Sequence, residues 1–153
     1  DRAQSLLDEN LPFVRARGQA RCESYTLMGM AQTAVVRGRP QDADVTVLPA
    51  IELAFAIDDA PLAAACLEVL AVSVADRGDR RAAAILGGTE ALREALDAAP
   101  DEEEAAMRAA ALERLGPDAI AYAAEWERGR SLDLAALVDL ARAVAAQPQV
   151  AAA

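Results

Sequence analysis

The sequence predicts an all-α fold: a solenoid of about eight helices, stacked as hairpins and closed by a non-repetitive C-terminal cap. Three observations carry this. First, the chain matches itself when slid by forty positions, so that Leu27 falls on Leu67, Met30-Ala31 on Leu70-Ala71, Ala34 on Val74, Arg37-Gly38 on Arg77-Gly78 and Ala43 on Ala83. One shift the other way places Ala3 on Ala43 and Leu7 on Val47. A period of this length marks helix pairs that cannot bury their apolar faces alone. Second, hydrophobic residues make up 54% of the chain but aromatic ones only 3%, so its core is built from Ala, Leu, Val and Ile, and alanine is the strongest helix former. Third, the longest β-branched run is Val45-Thr46-Val47, too short and too helically framed to read as a strand.

The elements follow in order. From Ala3 to Arg17 the set Leu6, Leu7, Leu11 and Val14 recurs at helical spacing, and Gly18 supplies a stop. A second helix runs from Ala20 to Arg37, with Leu27, Met30, Ala31, Ala34 and Val35 inward and Gly38 ending it. The third begins near Pro40, a residue favoured in a first turn, and reaches Ile57. Asp58-Asp59 break it and offer a cap to a fourth helix, which carries Leu62, Cys66, Val69, Leu70 and Val74 and stops at Gly78. A fifth, from Arg80 to about Ala98, carries Ile85, Leu86, Leu92 and Leu96. Pro12 and Pro49 fall inside helices, where each removes a hydrogen bond and bends or interrupts the helix.

After Pro100 the period fades. Asp101-Glu102-Glu103-Glu104 reads as a helix start whose carboxylates complement the helix dipole. That sixth helix runs through Met107, Ala111, Leu112 and Leu115 to Gly116. Pro117-Asp118 opens a seventh to about Arg128, and Gly129-Arg130-Ser131 reads as a break. Ser131 or Asp133 begins an eighth, striped by Leu134, Leu137, Val138, Ala141 and Val144. Residues 1–147 thus form one domain, its repeat part at about 1–98 and its capping helices at about 101–147, with 148–153 as a tail or linker.

Composition narrows the function. The chain carries 15 basic residues, all arginine, against 25 acidic ones, for a net charge of −10. Duplex binding needs a basic face that displaces counterions, so direct nucleic-acid contact is not expected. No apolar run reaches the length of a membrane span and no signal peptide is evident, which points to a cytoplasmic protein. The chain opens at Asp1 and not at Met, as a domain cut from a longer protein would. Cys22 and Cys66 read as buried, reduced thiols.

Catalytic constellations are hard to assemble. Histidine, the commonest general base, is missing. Gly87-Gly88 lies in mid-helix without the spacing or the lysine of a phosphate loop, and reads as a place of close helix approach. Asp58 and Asp59 read as caps, not as a catalytic pair. No enzyme, cofactor or metal is expected. The interaction face is expected around Glu23, Tyr25, Arg37, Glu68 and Arg77. The lone Trp126, with Ile120, Leu134 and Leu137 as neighbours, is expected to anchor the C-terminal cap or to line a ligand pocket.

Two segments go further. Arg77-Gly78-Asp79-Arg80-Arg81-Ala82-Ala83-Ala84-Ile85-Leu86-Gly87-Gly88-Thr89-Glu90-Ala91-Leu92-Arg93-Glu94 resembles a stretch near the end of tetratricopeptide-like domains in large actinobacterial regulators. Glu113-Arg114-Leu115-Gly116, then Trp126 and Gly129-Arg130-Ser131-Leu132-Asp133, resembles the ending of the same domains. Those regulators include the antibiotic-regulatory (SARP/AfsR-like) activators and the LuxR/MalT-type ATP-binding regulators. Pro49 departs from the pattern, in a helix the family keeps smooth. The resemblance implies a domain that sits beside a nucleotide-binding switch module and a DNA-binding module, receives signals or protein partners, and permits or restrains oligomerisation. Its partners would be other domains of the same regulator, another protein or a second copy. The expectation is a non-catalytic regulatory and protein-interaction domain; the alternatives are a small-molecule-sensing helical domain with an apolar pocket and a free-standing adaptor.

Overall fold

Five helices end in the same way, and these endings fix the layout of the chain. In the computed structural model, which describes residues 2–116 and 119–146, the elements are α1 (Arg2–Ala16), α2 (Ala20–Val36), a single 3-10 turn (Pro40–Asp42), α3 (Asp44–Ala56), α4 (Ala60–Asp76), α5 (Arg81–Leu96), α6 (Glu102–Leu115), α7 (Ala119–Arg130) and α8 (Leu134–Ala145). After α1, α2, α3, α4 and α5 the chain makes paired backbone hydrogen bonds back into the last turn, such as Gly38 N–H to the Val35 carbonyl and Arg39 N–H to that of Ala34. This is the left-handed helix stop. Gly38 and Gly78 hold it at φ +72° and +69°, forty residues apart. After α3 and α5 an aspartate takes the same conformation, Asp58 at φ 56° and Asp97 at φ 50°, a role that a short polar side chain tolerates. Asp58 is therefore a helix stop, while Asp59 caps α4 by accepting from the Leu62 N–H at 3.2 Å.

The forty-residue register survives in the structure: α2 and α4 are each 17 residues long and start at Ala20 and Ala60. Hairpin neighbours pack in succession from α1 to α5; α2 also lies on α4, α4 on α6 and α5 on α7. Helix α8 turns back and packs on α3, α4 and α5. The centre of the molecule is α4, whose residues from Leu62 to Ala75 are all buried. A helix that is apolar on every side is stable only when surrounded, and α4 is touched by α2, α3, α5, α6 and α8. Among the described residues there is no strand.

Several expectations change. The helix expected from Pro40 to Ile57 divides into the 3-10 turn and α3, because the Ala43 carbonyl accepts both the Val47 N–H and the Thr46 side chain and so starts a new helix. Helices α1 and α3 are continuous through Pro12 and Pro49; the carbonyl orphaned by Pro49 belongs to Val45, which is exposed to water. Gly129 is not a break: α7 runs on to Arg130. Leu6, Leu96 and Leu112 face outward. Cys22 is exposed, whereas Cys66 is buried as expected. The Pro117-Asp118 helix start and the tail from Pro148 lie outside the described residues, and so does the side chain of Ile120.

Candidate functional site

Glu68 sits at the middle of α4, the only charge between Ala60 and Ala75, and it is completely buried. An unpaired carboxylate there would be costly. Arg93 of α5 pairs with it through two parallel hydrogen bonds, Nε to Oε1 at 3.1 Å and Nη2 to Oε2 at 2.9 Å. The same guanidinium lies 3.2 Å from Glu104 of α6. Arg108, one turn further along α6, donates to the Leu86 carbonyl at 3.2 Å and to Glu90 at 2.5 Å, and approaches Glu68 at 3.7 Å. Arg130 of α7 completes the chain by bonding Glu90 at 2.9 Å and Glu94 at 2.8 Å. Three arginines and four glutamates thereby tie α4, α5, α6 and α7 together.

The electrostatics follow from this pairing. Burial works against the Arg93 charge, but its hydrogen bonds to Glu68 and the charges of Glu68 and Glu104 outweigh that and raise its pKa above an arginine's ordinary value. The Arg130 hydrogen bond holds the Glu94 carboxyl below its ordinary range. An arginine has no accessible neutral form to act as a base, and each carboxylate of the network already faces a guanidinium. The arrangement ties four helices to one another.

Three concavities adjoin this frame. One of about 340 Å³ lies over Arg93 and Arg108, bounded by Glu90, Glu94, Asp97 and the Ala98-Ala99-Pro100 connection. A second, of about 370 Å³, is lined by Ala83, Leu112, Leu115, Tyr122, Ala123 and Trp126 with Glu127 at its edge. A third, of about 720 Å³, runs between the α1–α2 hairpin and α6, with Leu7, Gly29, Gln32, Arg37 and Met107 on its walls.

The residues expected to share an interaction face are dispersed. Glu68 belongs to the interior and is not on a surface. Arg77 is largely covered, 2.5 Å from Asp44 at the start of α3 and 3.0 Å from the Ser73 hydroxyl. Glu23 is half-buried and pairs with Arg15 at 2.6 Å. Tyr25 is exposed beneath the Arg21 guanidinium. Arg37 is exposed at the end of α2, on the wall of the third concavity. Trp126 is half-buried against the core with Arg108 over its ring at 5.3 Å. It thus packs and lines a cleft at once. Leu137, expected beside it, lies against Gly88, while the Trp126 backbone presses on the adjoining Gly87. Arg93, Arg108 and Arg130 were not foreseen. The signal for them was present, since a single acidic residue inside a fourteen-residue buried stretch requires a basic partner.

No family model, no curated protein and no solved structure matches this chain.

Proposed function

We propose that the chain is a non-catalytic regulatory and protein-interaction domain of a bacterial, cytoplasmic transcription regulator, built as a tetratricopeptide-like hairpin solenoid. The observation that carries this is the forty-residue repeat, kept as two helices of equal length ending in equivalent glycine stops. Stacked hairpins of this kind present extended surfaces to other proteins. The resemblance of residues 77–94 and of the Gly129–Asp133 segment to the regulators' domains adds the transcriptional part. Both segments have concrete work in this chain: the first supplies Gly87 and Gly88, the second Gly129, and the three glycines meet where α5 and α7 cross. Excess negative charge suits a domain that leaves DNA contact to another module. In-frame removal of these residues from their gene, followed by transcript profiling, tests the reading. A confined set of altered transcripts is expected, and an unchanged profile would overturn it.

The cleft at Trp126 favours a second reading, small-molecule sensing. Its volume lies within the range of ligand pockets, and its walls are aromatic and aliphatic. A compound that raises the melting temperature and quenches the single tryptophan would establish that reading, because a ligand selective for the native state stabilises it.

A further inference from the structure

Helices α6 and α7 follow one another in the chain but, among the described residues, scarcely touch: α6 lies on α4 and α7 on α5. Where α2–α3 and α4–α5 close as hairpins, this pair stays open, and the cleft of about 370 Å³ lies between its helices. Leu112 and Leu115 wall it from α6, Tyr122 and Trp126 from α7, and Ala83 of α5 also lines it. The leucines are three residues apart and the aromatic residues four, so each pair shares a helix face. Leu112 is 42% exposed on its wall.

The charge in the cleft has one sign. Among the described residues that line it, Glu127 alone is charged, and its carboxylate makes no hydrogen bond or ion pair with any of them. Arg130 feels the Glu127 charge but is bonded to Glu90 and Glu94. The Tyr122 hydroxyl also has no hydrogen-bond partner among the described residues. Arg108 lies 5.3 Å from the centroid of the Trp126 ring, so that ring already faces one cation. That guanidinium is bonded to Glu90 and is not part of the lining. Aromatic faces attract cations, and a carboxylate at the edge of the same cleft favours the same charge.

We infer that this cleft binds a hydrophobic organic cation of the arylalkylamine class. Its rings lie against Trp126, Tyr122 and the two leucines, and its ammonium group donates to Glu127. A neutral or acidic molecule of the same shape meets the walls but leaves Glu127 without a partner. The inference rests on the small-molecule reading of the cleft and gives its ligand a chemical class.

Three probes with one ring system separate charge from shape: naphthylmethylamine, a cation at neutral pH, naphthylmethanol, which is neutral, and naphthoate, an anion. The chain has one tryptophan, so a single indole N–H resonance reports occupancy of the cleft. The amine should shift that resonance saturably and bind about fivefold tighter than the alcohol, with naphthoate weakest. Glu127→Gln, at an exposed position, should bring the amine down to the alcohol's affinity and leave the alcohol unchanged. Glu102→Gln removes the same charge at the other end of α6 and should keep the preference, which separates Glu127 from the net charge of −10. Alcohol or naphthoate binding as tight as that of the amine overturns the cation proposal while the small-molecule reading stands. A preference that survives Glu127→Gln, or is lost equally in Glu102→Gln, overturns it as well. An indole resonance that none of the three probes moves overturns both.

Discussion

At Gly129 a hydrogen stands where any other residue would carry a Cβ, and this lets α7 lie directly on α5. A Cβ there would overlap the Ala84 carbonyl, which belongs to the backbone and cannot rotate away. Gly129→Ala gains about 1 kcal/mol of helix propensity but forces two helices apart, so a net loss of about 2 kcal/mol is expected in urea denaturation. Gly29→Ala is the control: its new Cβ would meet only the flexible Leu7 side chain at 3.3 Å, and stability should change little. The cysteines differ in the same local way. Burial pushes the Cys66 thiol up to about 12 from an ordinary value of 9.0, whereas Cys22 is exposed. One thiol per chain should therefore react with an alkylating reagent at pH 8 in the native state, and two after denaturation. A raised thiol pKa favours the folded state fully below pH 9 and loses that contribution as pH climbs toward 12. A fall in stability across that interval that is absent in Cys66→Ala is the matching signature.

Among elements, α1 and α7 are the informative ones. With α1 packed chiefly on α2 and burying only Val14, its amides should exchange with solvent well before those of α4 in hydrogen-exchange measurements, because weakly packed units open at low cost. Equal protection of α1 and α4 in a dilute sample would contradict this packing argument. On α7, Trp126 packs on the core from one side and lines the cleft on the other. A fully buried tryptophan costs about 3–5 kcal/mol on truncation; for Trp126→Ala, a loss of about 2 kcal/mol is expected because part of the ring is already in contact with solvent. Its emission should lie between that of buried and fully hydrated tryptophan.

Across the whole molecule, the buried Glu68–Arg93 pair joins α4 to α5, and Glu104 and Arg108 against it bring in α6. Removing one partner leaves a buried charge, so Arg93→Met alone should cost about 3–5 kcal/mol. Replacing both residues by methionine should recover most of that loss, since an apolar pair of similar volume leaves nothing unpaired. A double variant as unstable as the single one would show that the arginine acts through Glu104 as well. The sequence by itself determined most helix starts and stops, because Gly38, Gly78, Asp59 and Asp101 act on their own neighbours within a turn, and it determined the forty-residue register because α2 and α4 repeat the same local pattern; the division of the helix expected from Pro40 was not among them. It also contained the need for a partner to Glu68, without naming one. The identity of that partner, the return of α8 onto α3 and the use of Gly129 as a contact, not a break, were decided only by tertiary structure. Each depends on which distant backbone arrives within a few ångströms, and periodicity along one helix carries no information about that.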